Sequence, residues 1–193
     1  MPLIERDDSL LIVVDAQAGF AGRSETDGAA AARSRAVAAW LVGVAAALGV
    51  PVVVTEEDAG RNGPTDRVIL DRLPPETARH AKHVFGLADQ PDILAAVEAT
   101  GRRTAVVVGA ETDVCVAQSA VGLLDRGFRV AVVDDATFSP GRMHEAGLRR
   151  VFDAGAQIVH AKGVYYEWVR TLEAARAFEA ASPHLASPPG FDL

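Results

Sequence analysis

Three side chains in this sequence have the makings of a reactive site. Asp15 follows five consecutive apolar residues, Leu10 to Val14. A carboxylate at the lip of a buried strand is costly unless it is paired or used. Taken alone, it fits an N-cap or loop role as well as a catalytic one. Cys115 is the single cysteine and stands in the run VVVGAETDVCVAQSA. If a strand ends at Val108 and a helix begins near Asp113, Cys115 lies in the first helical turn. Free backbone N–H groups and the helix dipole there stabilise a thiolate and can hold an oxyanion. The plainer role for a free cysteine is that of a small buried hydrophobe. Lys82 is one of only two lysines among 19 basic residues and sits in HAKH between His80 and His83. These three bases form either a cationic site or a solvated edge, and strand alternation would put His80 and Lys82 on one face and His83 on the other. His144, His160 and His184 are isolated, and no histidine pair has metal-ligand spacing.

The elements that must position these groups can be read from the pattern. Residues 10–14, 51–55, 80–84, 104–108, 128–133 and 156–160 read as strands. The first, LLIVV, is β-branched and does not alternate, as expected of a strand buried on both faces of a parallel sheet. Helices are expected over about 29–48, 91–100, 113–126, 142–154 and 165–181, several of them followed by glycine. Residues 56–75 hold Gly60, Asn62-Gly63-Pro64 and Pro74-Pro75 and read as an irregular excursion with one short helical turn. The tail from 182 onward should be irregular. Alternating strands and helices imply right-handed βαβ units. The expected architecture is a three-layer α/β/α sandwich with a mostly parallel sheet of about six strands. In such sheets ligands bind beyond the carboxyl ends of the strands. Asp15 ends the first strand, residues 109–115 follow the fourth, and Lys82 lies near or inside the third.

Composition narrows the function. The chain has 193 residues, 49% of them hydrophobic and 23% charged, which fits one globular domain over residues 1–193. The net charge of −7 disfavours nucleic acid and anionic membrane surfaces. No uninterrupted apolar run reaches the length of a bilayer span, and the acidic N-terminus does not read as a signal peptide. One cysteine allows no internal disulfide, which suits a reducing cytoplasm. The run DAQAGFAG after the first strand lacks the G-x-G-x-x-G spacing of a dinucleotide site, and no P-loop is present.

Together and in this order, the three elements resemble the isochorismatase-like cysteine hydrolase superfamily. Its D-x-Q-x-x-F setting appears as Asp15, Gln17 and Phe20. Its lysine three residues before an aromatic and a small residue appears as Lys82, Phe85 and Gly86. Its G-x-x-[TS]-[DEH]-x-C-V segment appears as Gly109, Thr112, Asp113, Cys115 and Val116. The resemblance spans nearly the whole chain, including Asn62-Gly63-Pro64-Thr65 and Tyr166-Glu167-Trp168. It implies a catalytic triad of Asp15, Lys82 and Cys115. It also implies a cis peptide at Ala110-Glu111, aiming an N–H at the same oxyanion as the Cys115 N–H. Gln17, Phe20, Phe85 and Thr112 are the candidate pocket residues it points to. The implied activity is hydrolysis of a C–N bond in a small amide-like molecule through an acyl group on Cys115. No cofactor is expected, and the chain is expected to form a homo-oligomer, a dimer or larger.

Departures from the family pattern sharpen this reading. Nicotinamidase-type members bind a metal through an Asp-x-His run after the second strand, whereas residues 55–59 here read Thr-Glu-Glu-Asp-Ala. No metal is therefore expected. Members that cleave the vinyl ether of isochorismate lack the nucleophilic cysteine. Gly86-Leu87-Ala88 stands where a run of small and aromatic residues is common. Glu56, Glu57, Arg61, Asn62 and Glu111 fall in segments that border the site, although solvation is the plainer reading of each. Phe20, Phe85 and Trp168 form either an apolar wall or core. Residues 165–168 are either an interface or a packed helix face. Two readings compete: a catalytically idle binding protein, and a thiol sensor that would need an external thiol because the chain has no second cysteine. A flavin or nucleotide binder is weakened by the missing phosphate loops.

Overall fold

The computed structural model describes residues 2–193. Six strands form one parallel sheet in the order β3-β2-β1-β4-β5-β6. They are β1 (Ser9–Val14), β2 (Val52–Glu57), β3 (Arg79–Lys82), β4 (Thr104–Ala110), β5 (Arg129–Phe138) and β6 (Gln157–Val159). The helices are α1 (Glu25–Leu48), α2 (Ala59–Asn62), α3 (Arg67–Leu70), α4 (Pro91–Ala99), α5 (Ala117–Asp125), α6 (Met143–Asp153), α7 (Ala161–Val169) and α8 (Leu172–Ala181).

The unbroken apolar run of β1 is explained by its place in the sheet. Leu11 and Val13 enter a core shared with α1, α7 and α8. Leu10, Ile12 and Val14 enter a second core shared with α4, α5 and α6. The protein is thus a three-layer α/β/α sandwich with β1 buried on both faces. Strand order reverses between β1 and β4, and the crevice beyond that switch point is where open α/β sheets bind ligands.

Several elements differ from the sequence reading. α1 starts at Glu25 rather than near residue 29, because Ser24 caps it by accepting from the Asp27 N–H. Gly49, at φ 72°, ends it. With 24 residues, α1 has the length and composition of a bilayer span, although no uninterrupted apolar run does. It is packed instead as a core helix, with residues 37–45 buried and Trp40 Nε1 donating to the Leu185 carbonyl. β3 stops at Lys82 instead of running to Val84. β5 does not end at Asp134-Asp135 but continues to Phe138 through a bulge, with register passing from Val107↔Val132 to Gly109↔Thr137. The last helix is two, α7 and α8, split at Arg170 (φ 66°). Tyr165 and Trp168 are buried in the α1-side core, so they form a packed helix face, while Tyr166 between them is exposed. The tail is not wholly irregular, since a short 3₁₀ turn buries Leu185.

Candidate active site

Asp15 is the first residue beyond β1, and it turns the chain at φ 45°. A non-glycine residue at positive φ persists only where its surroundings hold it. Here the Asp15 N–H donates to the Thr55 carbonyl at 3.1 Å, and Thr55 Oγ1 donates to Asp15 Oδ1 at 2.7 Å. The neighbouring end of β4 must also be tight. Gly109 has φ 120°, and a Cβ on it would lie 1.8 Å from the Val14 carbonyl oxygen. Only glycine lets β4 pass so close to β1.

Lys82 is the last residue of β3 and lies in register with Glu57 of β2. Its side chain is fully buried. Nζ meets Asp15 Oδ2 at 2.9 Å and donates to the Val84 carbonyl at 2.6 Å and the Phe85 carbonyl at 3.1 Å. Cys115 Sγ is 3.6 Å away and Glu57 Oε2 3.7 Å. An ammonium has three N–H donors. The Lys82 hydrogen bonds run to the two carbonyls and to the Cys115 sulfur, and Asp15 is held beside it as an ion pair.

Cys115 is presented by one turn of π-helix, Thr112–Val116, that leads into α5. Its defining bond runs from the Val116 N–H to the Glu111 carbonyl at 3.0 Å. The expected first turn of an α-helix is therefore a wider turn ahead of the helix, of a kind often found at functional sites. Its neighbours clamp it. Ser139 Oγ donates to Asp113 Oδ1 at 2.6 Å, and the Thr112 hydroxyl pairs with His144 Nδ1 at 2.9 Å. A Cβ on Gly147 of α6 would come within 2.6 Å of the Asp113 nitrogen. The Ala110-Glu111 peptide immediately before the turn is cis.

The structure thus brings Asp15, Lys82 and Cys115 together from the ends of three segments. It adds Glu57, which the sequence reading had grouped with solvated residues. Cys115 Sγ donates to Glu57 Oε2 at 3.0 Å. The signal for Glu57 was its position near the end of a strand, but its role depends on the β2–β3 register. Gln17 borders a small hollow and turns its amide to β2. It clamps the Glu57 backbone, accepting from the Glu57 N–H at 2.8 Å and donating to the Glu57 carbonyl at 3.0 Å. Phe20 borders, with Gln17 and Ala110, a hollow of about 10 Å³, no larger than one water needs. Phe85 is 55% exposed and serves the site through its carbonyl. Thr112 is buried against His144, and Trp168 donates to Ser9 Oγ in the opposite core.

The electrostatics depart from the sequence reading as well. Burial pushes the Cys115 thiol far up, the Asp15 and Glu57 carboxylates push it further, and Lys82 opposes them. These effects favour the thiol, against the pull of the turn's backbone N–H groups toward the thiolate. Burial also raises Asp15 above the usual carboxylate range, against Lys82 and the hydrogen bonds it accepts. Burial raises Glu111 too, and Asp113 and Glu57 add to that effect.

Among the described residues, two groups of side chains are close enough to hold a cation. The ligand atoms of Asp15, Glu57 and Cys115 lie within 4.8 Å of one another, but the Lys82 ammonium already sits beside all three. Asp134, Asp135 and His160 form the second group. There His160 Nε2 pairs with Asp135 at 3.1 Å, and Asp135 also accepts from the Ala161 N–H. These contacts join the end of β5 to the start of α7.

Residues 9–162 match the isochorismatase domain family. The chain is 31% identical over 179 residues to the probable hydrolase YcaC of Escherichia coli (strain K12), covering 88% of this chain and 84% of that one. The crystal structure of the E. coli YcaC gene product, an octameric hydrolase of unknown specificity, superimposes with a TM-score of 0.81 at 26% identity, covering 96% and 93% of the two chains. YcaC from Pseudomonas aeruginosa, solved with hexane-2,5-diol and covalent acrylamide, gives a TM-score of 0.79 at 27% identity, covering 95% and 94%. A secreted isochorismatase effector, Isc1 of Phytophthora sojae, is 30% identical over 159 residues, covering 79% and 76%.

Proposed function

The chain belongs to the isochorismatase family and is a hydrolase of that family, and from this premise we propose that it works through Cys115 on a C–N bond of a small amide-like substrate. The observation that carries the proposal is the contact set of the thiol. Lys82 Nζ at 3.6 Å and Glu57 Oε2 at 3.0 Å touch the Cys115 sulfur, and Asp15 lies within 4.8 Å.

Each group then has a role. Sγ attacks the carbonyl carbon as its proton passes to Asp15, whose raised pKa suits it to accept a proton and return it. An S–C bond forms and the carbonyl π electrons move to oxygen. The N–H groups of Glu111 and Cys115, at the turn leading into α5, stabilise that oxyanion. On collapse the C–N bond breaks, the Asp15 proton goes to the leaving nitrogen, and a thioester remains on Cys115. Water then attacks the thioester and gives a proton to Asp15. The C–S bond breaks and the thiol regains its proton. Lys82 stays charged throughout, holding Asp15 in place and compensating negative charge as sulfur loses its proton. No step in this sequence calls for a cofactor or a metal.

Two properties of the relatives bear on this reading. The covalent acrylamide on P. aeruginosa YcaC supports a reactive nucleophile on this fold; acrylamide captures nucleophiles at its alkene carbon, so the adduct bears on nucleophilicity rather than on the bond cleaved. The octamer of E. coli YcaC supports homo-oligomeric assembly, which we extend to this chain. The lone buried cysteine fits a cytoplasmic setting. It fits a thiol sensor poorly, because oxidation follows thiolate character and burial here suppresses it. The test is turnover of a panel of small amides, hydroxamates, carbamoyl compounds and cyclic imides by wild type and Cys115→Ser. Hydrolysis by wild type alone is expected, and equal hydrolysis by both would overturn the proposal.

A further inference from the structure

The two carboxylates around the thiol differ in what they have left to offer. Asp15 is fully buried, and each of its oxygens is engaged, Oδ1 by Thr55 and Oδ2 by Lys82. Glu57 keeps 21% of its side chain exposed. Its backbone is held on both sides by Gln17, and Asn62 Nδ2 donates to its carbonyl at 3.0 Å. The carboxylate is therefore fixed at the edge of the site. Its Oε2 accepts the thiol proton in the resting state. Once Cys115 is acylated, that proton is gone and Glu57 faces the acyl group.

The nearby cation does not change this. Lys82 lies 3.7 Å from Glu57, but Asp15 is nearer at 2.9 Å, and the Lys82 hydrogen bonds go to the Val84 and Phe85 carbonyls and to the Cys115 sulfur. For the same reason Lys82 has no N–H free to grip a substrate carboxylate. Arg79 is drawn to Glu56 at 3.7 Å. Glu111 brings a second acid close enough to feel Glu57 and Asp113. Acidic groups thus surround the thiol, and Glu57 is the partly exposed one that contacts the sulfur.

Resting on the hydrolase reading of this site, we propose that Glu57 selects substrates carrying a protonated amine or a comparable cationic nitrogen group near the scissile carbon. Glu57 accepts the N–H of that group, and anionic acyl compounds are repelled. The oxygen that holds the thiol proton in the empty site holds the substrate cation in the occupied one.

Charged thiol reagents test this without knowledge of the substrate. In each, sulfur attacks the sulfenyl sulfur of a methanethiosulfonate, an S–S bond forms, methanesulfinate leaves and the thiol proton goes to solvent. The 2-aminoethyl, methyl and 2-sulfonatoethyl reagents supply a cation, a neutral molecule and an anion. Rates on Cys115 are divided by those on 2-mercaptoethanol in the same buffer. The cation-to-anion ratio should exceed that of the free thiol by about tenfold, the low end of electrostatic focusing in a charged cleft. Glu57→Gln should shrink the ratio severalfold, whereas Asp58→Asn, at an exposed acid in the same loop, should leave it unchanged. A wild-type ratio equal to that of the free thiol, or one unchanged in Glu57→Gln, overturns the inference and leaves the hydrolase reading standing. Failure of all three reagents to react even at pH 9, where the thiolate fraction has risen, would overturn the hydrolase reading, and this inference with it.

Discussion

The ammonium of Lys82 and the carboxylate of Asp15 meet at 2.9 Å with neither side chain exposed to solvent. A buried pair of this kind is costly to break on one side and cheap to replace as a whole. Asp15→Asn and Lys82→Met should each lower the unfolding free energy by about 3–5 kcal/mol. The double variant should lose clearly less than the sum of the two. Urea titration of the four proteins measures this coupling, and simple additivity would show that the pair carries none.

Because burial and two carboxylates raise the Cys115 thiol, the free protein should alkylate slowly at neutral pH. The sign follows from the reactive species. A raised pKa keeps the group protonated through the neutral range, and only the thiolate reacts. The rate with iodoacetamide should therefore climb about tenfold per pH unit through pH 9, without a plateau near neutrality. A plateau below pH 8 would mean a thiolate at rest. Removing the ammonium in Lys82→Met should lower the rate further, since Lys82 is the group that favours the thiolate.

Gly147→Ala should damage the site more than the fold around it. The new methyl would meet the backbone of Thr112 and Asp113 at 2.6–2.7 Å, so the turn carrying Cys115 must shift. Overpacking of this kind costs about 1–3 kcal/mol. Turnover should fall by more than that loss of stability explains. Gly163→Ala on α7 is the control, since a Cβ there meets nothing within 4 Å. It should stabilise the protein by about 0.5–1 kcal/mol through helix propensity. Equal activity of both variants would remove α6 from any part in placing the thiol.

Chelation should leave turnover unchanged. The Lys82 ammonium stands among Asp15, Glu57 and Cys115, the one ligand group that includes the thiol among the described residues. Prolonged dialysis against a chelator followed by assay checks this. Activity lost and then restored by zinc would contradict it.

The layers of the fold were legible because burial on both faces leaves a direct mark on sequence, as in LLIVV. Places where tertiary contacts override local signals were not legible. Asp134-Asp135 read as the end of β5, yet the chain continues as strand because Asp135 accepts the Ala161 N–H and the bulge absorbs the extra residues. The break at Arg170 uses a positive φ without glycine or proline to announce it. In the site, Asp15, Lys82 and Cys115 stood out by type and order. Glu57 did not, because it gains its meaning from register with Lys82 and contact with a sulfur 58 residues away. The environment of Cys115 was only half legible for a related reason. The dipole argument sees only the turn, whereas burial and two carboxylates from other strands decide the outcome.

The most direct test of covalent catalysis is intact-mass spectrometry after brief incubation with the amide, hydroxamate, carbamoyl and imide panel. Wild type should gain a discrete mass equal to an acyl group, Cys115→Ser should gain none, and peptide mapping should place the adduct on Cys115. An adduct that persists in Cys115→Ser, or product released by wild type with no thioester trapped even on acid quench, would contradict the account.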